Sequence, residues 1–68
     1  MTTTIDKIAE AKYQLQEATK SGIRKTMWSD DRSAMIMFHN NGTIVTNRFN
    51  GKLEVQFQLN NQPYAVTI

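Results

Sequence analysis

The spacing of hydrophobic and polar positions changes near residue 22 of this 68-residue chain. Before that point apolar residues recur at helical spacing, and after it they alternate with polar residues, as in strands with one buried face. Asn41-Gly42 and Asn50-Gly51 interrupt the alternating part. Asn-Gly between such stretches is a strong hairpin signal, because tight hairpin turns need positive φ at the turn residues. The pattern predicts an α+β fold: one N-terminal amphipathic helix packed on one face of a four- to five-stranded antiparallel β-meander.

The predicted helix spans about residues 4–21. Thr3 and Asp6 have the spacing of a capping box at its start, and Gly22 is the residue type favoured just after a helix end. One side of the helical projection is apolar and is therefore expected to cover the sheet. That side comprises Ile5, Ile8, Ala9, Ala11, Leu15, Ala18 and Thr19.

The predicted sheet, about residues 23–68, has strands at about 23–28, 33–39, 43–49, 52–59 and 64–68. A two-residue Asn50-Gly51 turn, a three-residue loop over 40–42 and pairing of Leu59 with Tyr64 place most large apolar side chains on one face. A two-residue turn at Asn41-Gly42 is the alternative, and it would bury Met35 and Met37 instead. In the favoured register the core face consists of Met27, Ala34, Ile36, Phe38, Ile44, Leu53, Val55, Phe57, Leu59, Tyr64, Val66 and Ile68.

The opposite face of this predicted sheet is more apolar than a face left to water should be. A contiguous apolar patch on a small protein usually marks an interaction site, and Trp, Met and Phe are enriched at interface centres. The predicted partner-binding residues on this face are Trp28, Met35, Met37, Val45 and Phe49.

Composition narrows the classes of function. The length fits one domain over residues 1–68, with a core small enough to gain from a second subunit. The chain has no Cys and only one His, His39, which is interpreted as a turn residue, and the adjacent Asp30 and Asp31 are interpreted as turn formers. No catalytic, metal-binding, cofactor-binding or small-molecule substrate motif is found, so the chain is not expected to be an enzyme. No apolar run fits a membrane span or a signal peptide, so the expected location is the cytoplasm.

Two functions fit these features. The favoured one is a small protein-binding or regulatory module that self-associates as a homodimer, of the kind that a phage or mobile element uses to inhibit a host factor. The alternative is a single-stranded nucleic-acid-binding protein in which Trp28 and Phe49 stack on bases. The formal net charge of +2 is only mildly basic. The residues available for phosphate contacts would be Arg24, Lys25, Arg32, Arg48 and Lys52.

Overall fold

The computed structural model describes residues 6–68 as one helix followed by five strands. The strands form one antiparallel sheet in the order β1-β2-β3-β4-β5, so the predicted α+β architecture is confirmed. Within residues 6–68, no helix has the length and apolar content that a membrane crossing requires. The elements are α1 (Lys7–Ser21), β1 (Ile23–Trp28), β2 (Ala34–His39), β3 (Ile44–Arg48), β4 (Leu53–Leu59) and β5 (Gln62–Thr67).

Helix α1 begins at Lys7, later than the sequence predicts, because Asp6 is its N-cap. The Asp6 carboxylate accepts a hydrogen bond of 3.1 Å from the Ala9 N–H, which satisfies one of the donors exposed at the helix start. Gly22 ends the helix at a φ of +89°, as expected. The predicted cap residue Thr3 and the apolar residue Ile5 lie outside the described residues.

The buried stripe of α1 is narrower than predicted. Ala11 and Ala18 are fully buried, and Leu15 is half-buried. Ile8, Ala9 and Thr19 were expected in the core but are exposed. The helix packs on β4 and β5 and reaches β2, so only residues in the centre of its apolar arc meet the sheet.

The hairpin between β2 and β3 has the predicted three-residue loop. The His39 N–H donates to the Thr43 carbonyl at 3.0 Å, and Gly42 adopts a φ of +93°. Phe38 therefore lies opposite Ile44 and Ile36 opposite Thr46, as predicted.

The hairpin between β3 and β4 differs from the prediction by one residue. The Arg48 N–H donates to the Lys52 carbonyl at 2.9 Å, so the loop comprises Phe49, Asn50 and Gly51 rather than Asn50-Gly51 alone. Gly51, with a φ of +89°, takes the left-handed position that closes a three-residue loop.

This additional loop residue reverses the faces of β1, β2 and β3 relative to β4 and β5. Val45, not Thr46, lies opposite Val55, and Val45 is 1% exposed. The faces predicted for the first three strands are therefore wrong. By register, the helix side carries Trp28, Met35, Met37, His39 and Val45, and the helix-free side carries Met27, Ala34, Ile36, Phe38 and Ile44.

The last hairpin has a two-residue loop, Asn60-Asn61, with φ of +54° and +64°. It places Phe57 opposite Tyr64 and Val55 opposite Val66, so the predicted pairs are wrong by two residues. A shift of two keeps every side chain on its face, and the predicted core positions Val55 and Phe57 are buried, at 0% and 6% exposed. Strand β5 begins at Gln62, before Pro63, and not after it.

The register can be tested with Val45 and its neighbour Ile44. Val45→Ala should destabilise the protein by about 2 kcal/mol, because it removes buried methyl groups beside Val55. Ile44→Ala removes more atoms, but from a half-buried side chain on the helix-free face, and should cost less. Urea unfolding of both variants measures the order. A larger loss for Ile44→Ala would contradict the three-residue loop.

Candidate partner-binding surface

The exposed Trp28 and Phe49 and the half-buried Met35 form an apolar cluster, here called the aromatic patch. Trp28 at the end of β1 lies directly opposite Met35 at the start of β2. The rings of Trp28 and Phe49 pack at a centroid distance of 5.7 Å and a tilt of 41°. Even so, Trp28 is 51% exposed and Phe49 62% exposed. The two rings contact each other and still leave more than half of each residue's surface open to water.

Two of the five residues predicted for partner binding contribute little to this surface. Met37 is half-buried in the middle of β2, and Val45 is buried against Val55. The predicted group does share one face, but that face is the one the helix partly covers. Trp28 and Phe49 stay open because they lie at the strand ends away from the start of β1, where α1 ends.

Strand β1 is the second exposed feature, and the sequence interpretation missed it. All six of its residues are exposed, and within residues 6–68 it pairs only with β2. Ile23 is 55% exposed, and Met27, which was expected in the core, is 41% exposed. The first strand of a meander has one neighbour only, so this edge could have been inferred from the predicted topology.

The loop between β1 and β2 is held by a compact network around Asp31. Its carboxylate accepts hydrogen bonds from Ser33 Oγ at 2.7 Å, Ser29 Oγ at 2.8 Å and the Ser33 N–H at 3.0 Å. These bonds, led by the Ser33 hydroxyl, lower the pKa of Asp31 from 3.8 to about 2. A further bond of 3.4 Å from the Phe49 N–H to the Ser33 carbonyl ties this loop to the β3–β4 loop and so places Phe49 beside Trp28.

The five predicted phosphate-contacting residues do not gather around the aromatic patch. Arg24 lies towards the other end of β1, and register places Lys25, Arg48 and Lys52 on the helix-free side. Arg48 also pairs with Glu54 at 3.9 Å. Arg48 precedes Phe49 in the chain but lies on the helix-free side, and Arg32 lies in the loop after Trp28.

His39 is the last residue of β2 and is buried, at 6% exposed, rather than lying in the turn. Its Nδ1 has no hydrogen-bond partner among the described residues. Within residues 6–68, no group of three or more His, Cys, Asp and Glu side chains is placed to hold a metal ion.

A groove of about 640 Å³ lies where the β2–β3 loop diverges from β4. Its polar side chains are neutral, with Gln14, Asn41, Gln56 and Gln58 beside Tyr64. Apolar side chains, among them Ile44, Phe57 and Pro63, complete the lining.

Comparison of the chain with protein-family models, with curated proteins and with solved structures found no match.

The Asp31 network makes a pH prediction. Because the folded-state pKa is lowered, the carboxylate stabilises the loop above pH 3.8, and this contribution is lost as the pH falls towards about 2. Carboxyl NMR titration should give an Asp31 pKa near 2, and Ser33→Ala should raise it towards 3.8. Ser21→Ala, at the far end of the sheet, should leave it unchanged. If Asp31 had the same pKa in Ser33→Ala and in Ser21→Ala, the hydrogen bonds from Ser33 to Asp31 would be contradicted.

Proposed function

We propose that this protein is a small protein-binding module whose contact surface is the aromatic patch, and that its partner is a second copy of itself. The observation that carries the proposal is the packing of Trp28 on Phe49, 5.7 Å apart, with both residues more than half exposed. Exposed aromatic side chains that support one another are typical anchors of protein interfaces, where Trp is strongly enriched.

The energetics of a short chain support an oligomer. A domain of this length buries only about 60% of the surface of its unfolded chain, so a second subunit adds burial that the fold lacks. No Cys is present to supply a disulfide. Further apolar surface is exposed elsewhere on β1, at Met27 on the helix-free side and at Ile23 at the other end of the strand.

A protein partner fits this surface better than a single-stranded nucleic acid. Nucleic-acid binding needs stacking rings and cations along one path. Here the rings lie on the helix side, whereas Lys25, Arg48 and Lys52 lie on the other. Asp30 and Asp31 add negative charge in the loop next to Trp28. An accessory protein of a phage or mobile element that blocks a host factor would use the same apolar anchor.

Truncation of the anchor tests the proposal. Trp28→Ala should weaken self-association by about 2 kcal/mol or more, roughly 30-fold in Kd, because the largest exposed ring is lost. Sedimentation equilibrium measures the change, and circular dichroism should show the helix signal intact.

Tyr13→Ala is the matched control, because Tyr13 is an aromatic residue of similar exposure, 54%, on the outer side of α1. It should leave association unchanged. A wild-type protein that stays monomeric at high concentration would refute self-association. Quenching of Trp28 fluorescence by a single-stranded oligonucleotide that disappears with added salt would favour nucleic-acid binding instead.

A further inference from the structure

The free edge of β1 indicates how two copies would join. The Ser29 N–H donates to the Ala34 carbonyl at 2.9 Å, so Ser29 directs its backbone groups towards β2. Inward and outward groups alternate along an antiparallel strand. Met27 therefore also bonds towards β2, whereas Thr26 and Trp28 direct their N–H and C=O groups outward. No strand of the described part of the chain lies beside these outward groups.

We infer that β1 pairs with β1 of a second copy in antiparallel register, with Met27 on the two-fold axis and Thr26 opposite the partner copy's Trp28. Arg24 then lies at the end of the pairing, next to the turn that carries the partner copy's Asp30. This inference rests on the proposed self-association and gives it a geometry. The two sheets then continue as one, and the aromatic patches lie on the same side next to the axis. An interface of this kind is closed and self-complementary, as a two-fold dimer requires.

Charge selects this register among the three that pair the outward groups. Placing Met27 on the axis brings Arg24 next to the turn residue Asp30 at both ends of the pairing, and neither residue forms an ion pair within residues 6–68. Placing Trp28 on the axis instead carries Arg24 past Asp30, towards the tip of a turn that also holds the cation Arg32. Placing Thr26 on the axis sets Arg24 against Trp28 and gives Asp30 no cation.

The first half of β1 has features that hinder pairing with another chain, and their position agrees with this register. Pairing of β1 with β2 shifts between Ile23 and Lys25, which makes Arg24 the additional residue of a β-bulge. Bulges and basic side chains hinder pairing with another chain. They occupy the first half of β1 and leave Thr26, Met27 and Trp28 available, which are the residues around the inferred axis.

The test is a single cysteine on the axis, since the chain has no other Cys. In Met27→Cys, the two thiols would lie directly opposite each other, at a Cα separation of about 4.5 Å that permits a disulfide. Mild oxidation should convert this variant to covalent dimer. Ala65→Cys is the control, an exposed position on the same side of the sheet in the other edge strand, β5. It should stay largely uncross-linked.

A second pair of variants tests the backbone. Thr26→Pro removes an outward N–H and no bond to β2, and it should weaken association about 30-fold through the two lost hydrogen bonds, with an unchanged circular dichroism spectrum. Ala65→Pro, which removes an outward N–H from β5, should have no effect on association.

The β1 pairing would be overturned if the dimer depends on Trp28 but does not cross-link through Cys at position 27 and tolerates Thr26→Pro. The proposed function would still stand in that case. Cross-linking at position 65 alone would place the contact on β5 and overturn the pairing as well. A monomer at every concentration would overturn both.

Discussion

The hydrogen bond from the Arg48 N–H to the Lys52 carbonyl determines which surface this protein exposes. It closes a three-residue loop and so fixes which side chains of β3 share a face of the sheet with which side chains of β4. Strand β2 pairs with β3, and β1 pairs with β2, so the faces taken by the side chains of β1 and β2 depend on this loop as well. With this loop Val45 joins Val55 in the core, and Ile36, Phe38 and Ile44 face away from the helix. A two-residue loop would exchange those two groups.

The helix then decides how much of its own side of the sheet stays open. A helix of 15 residues is about 22 Å long. It packs on β4 and β5 and must end where β1 begins, so it crosses the sheet obliquely. The strand ends that carry Trp28 and the adjoining Phe49 lie beyond this path. Small residues, Ala11 and Ala18, let the helix approach closely where it does make contact.

The architecture could be predicted because the spacing of hydrophobic residues and the residue types at turns are local signals in the sequence. The helix, five strands, the order of the meander and the loop over 40–42 all follow from spacing and from residues that tolerate positive φ. The core positions Val55 and Phe57 also follow, because their strand alternates strictly. The length of the β3–β4 loop could not be predicted in this way, since Asn50-Gly51 suits a two-residue turn and also the end of a three-residue loop. Phe49 gave no signal of belonging to the loop rather than to the strand.

The same ambiguity limited the prediction of the site. Trp28, Met35 and Phe49 were grouped correctly, because direct partners on β1 and β2 stay together whichever side they face. Their side of the sheet and the burial of Val45 depended on the loop, and both were predicted wrongly. The exposure of β1 depends on topology rather than on composition, since the strand Ile23–Trp28 has apolar residues at both ends.

Cross-strand contacts between Hα protons measure the β3–β4 register directly. Lys52 bonds to Arg48, so alternation makes Val45 and Val55 a non-hydrogen-bonded pair, whose Cα atoms lie only about 4.5 Å apart. A nuclear Overhauser spectrum should therefore show a strong Hα–Hα contact between Val45 and Val55. A contact from Val55 to Thr46 in its place would return Trp28 and Met35 to the helix-free side and contradict the surface described for this protein.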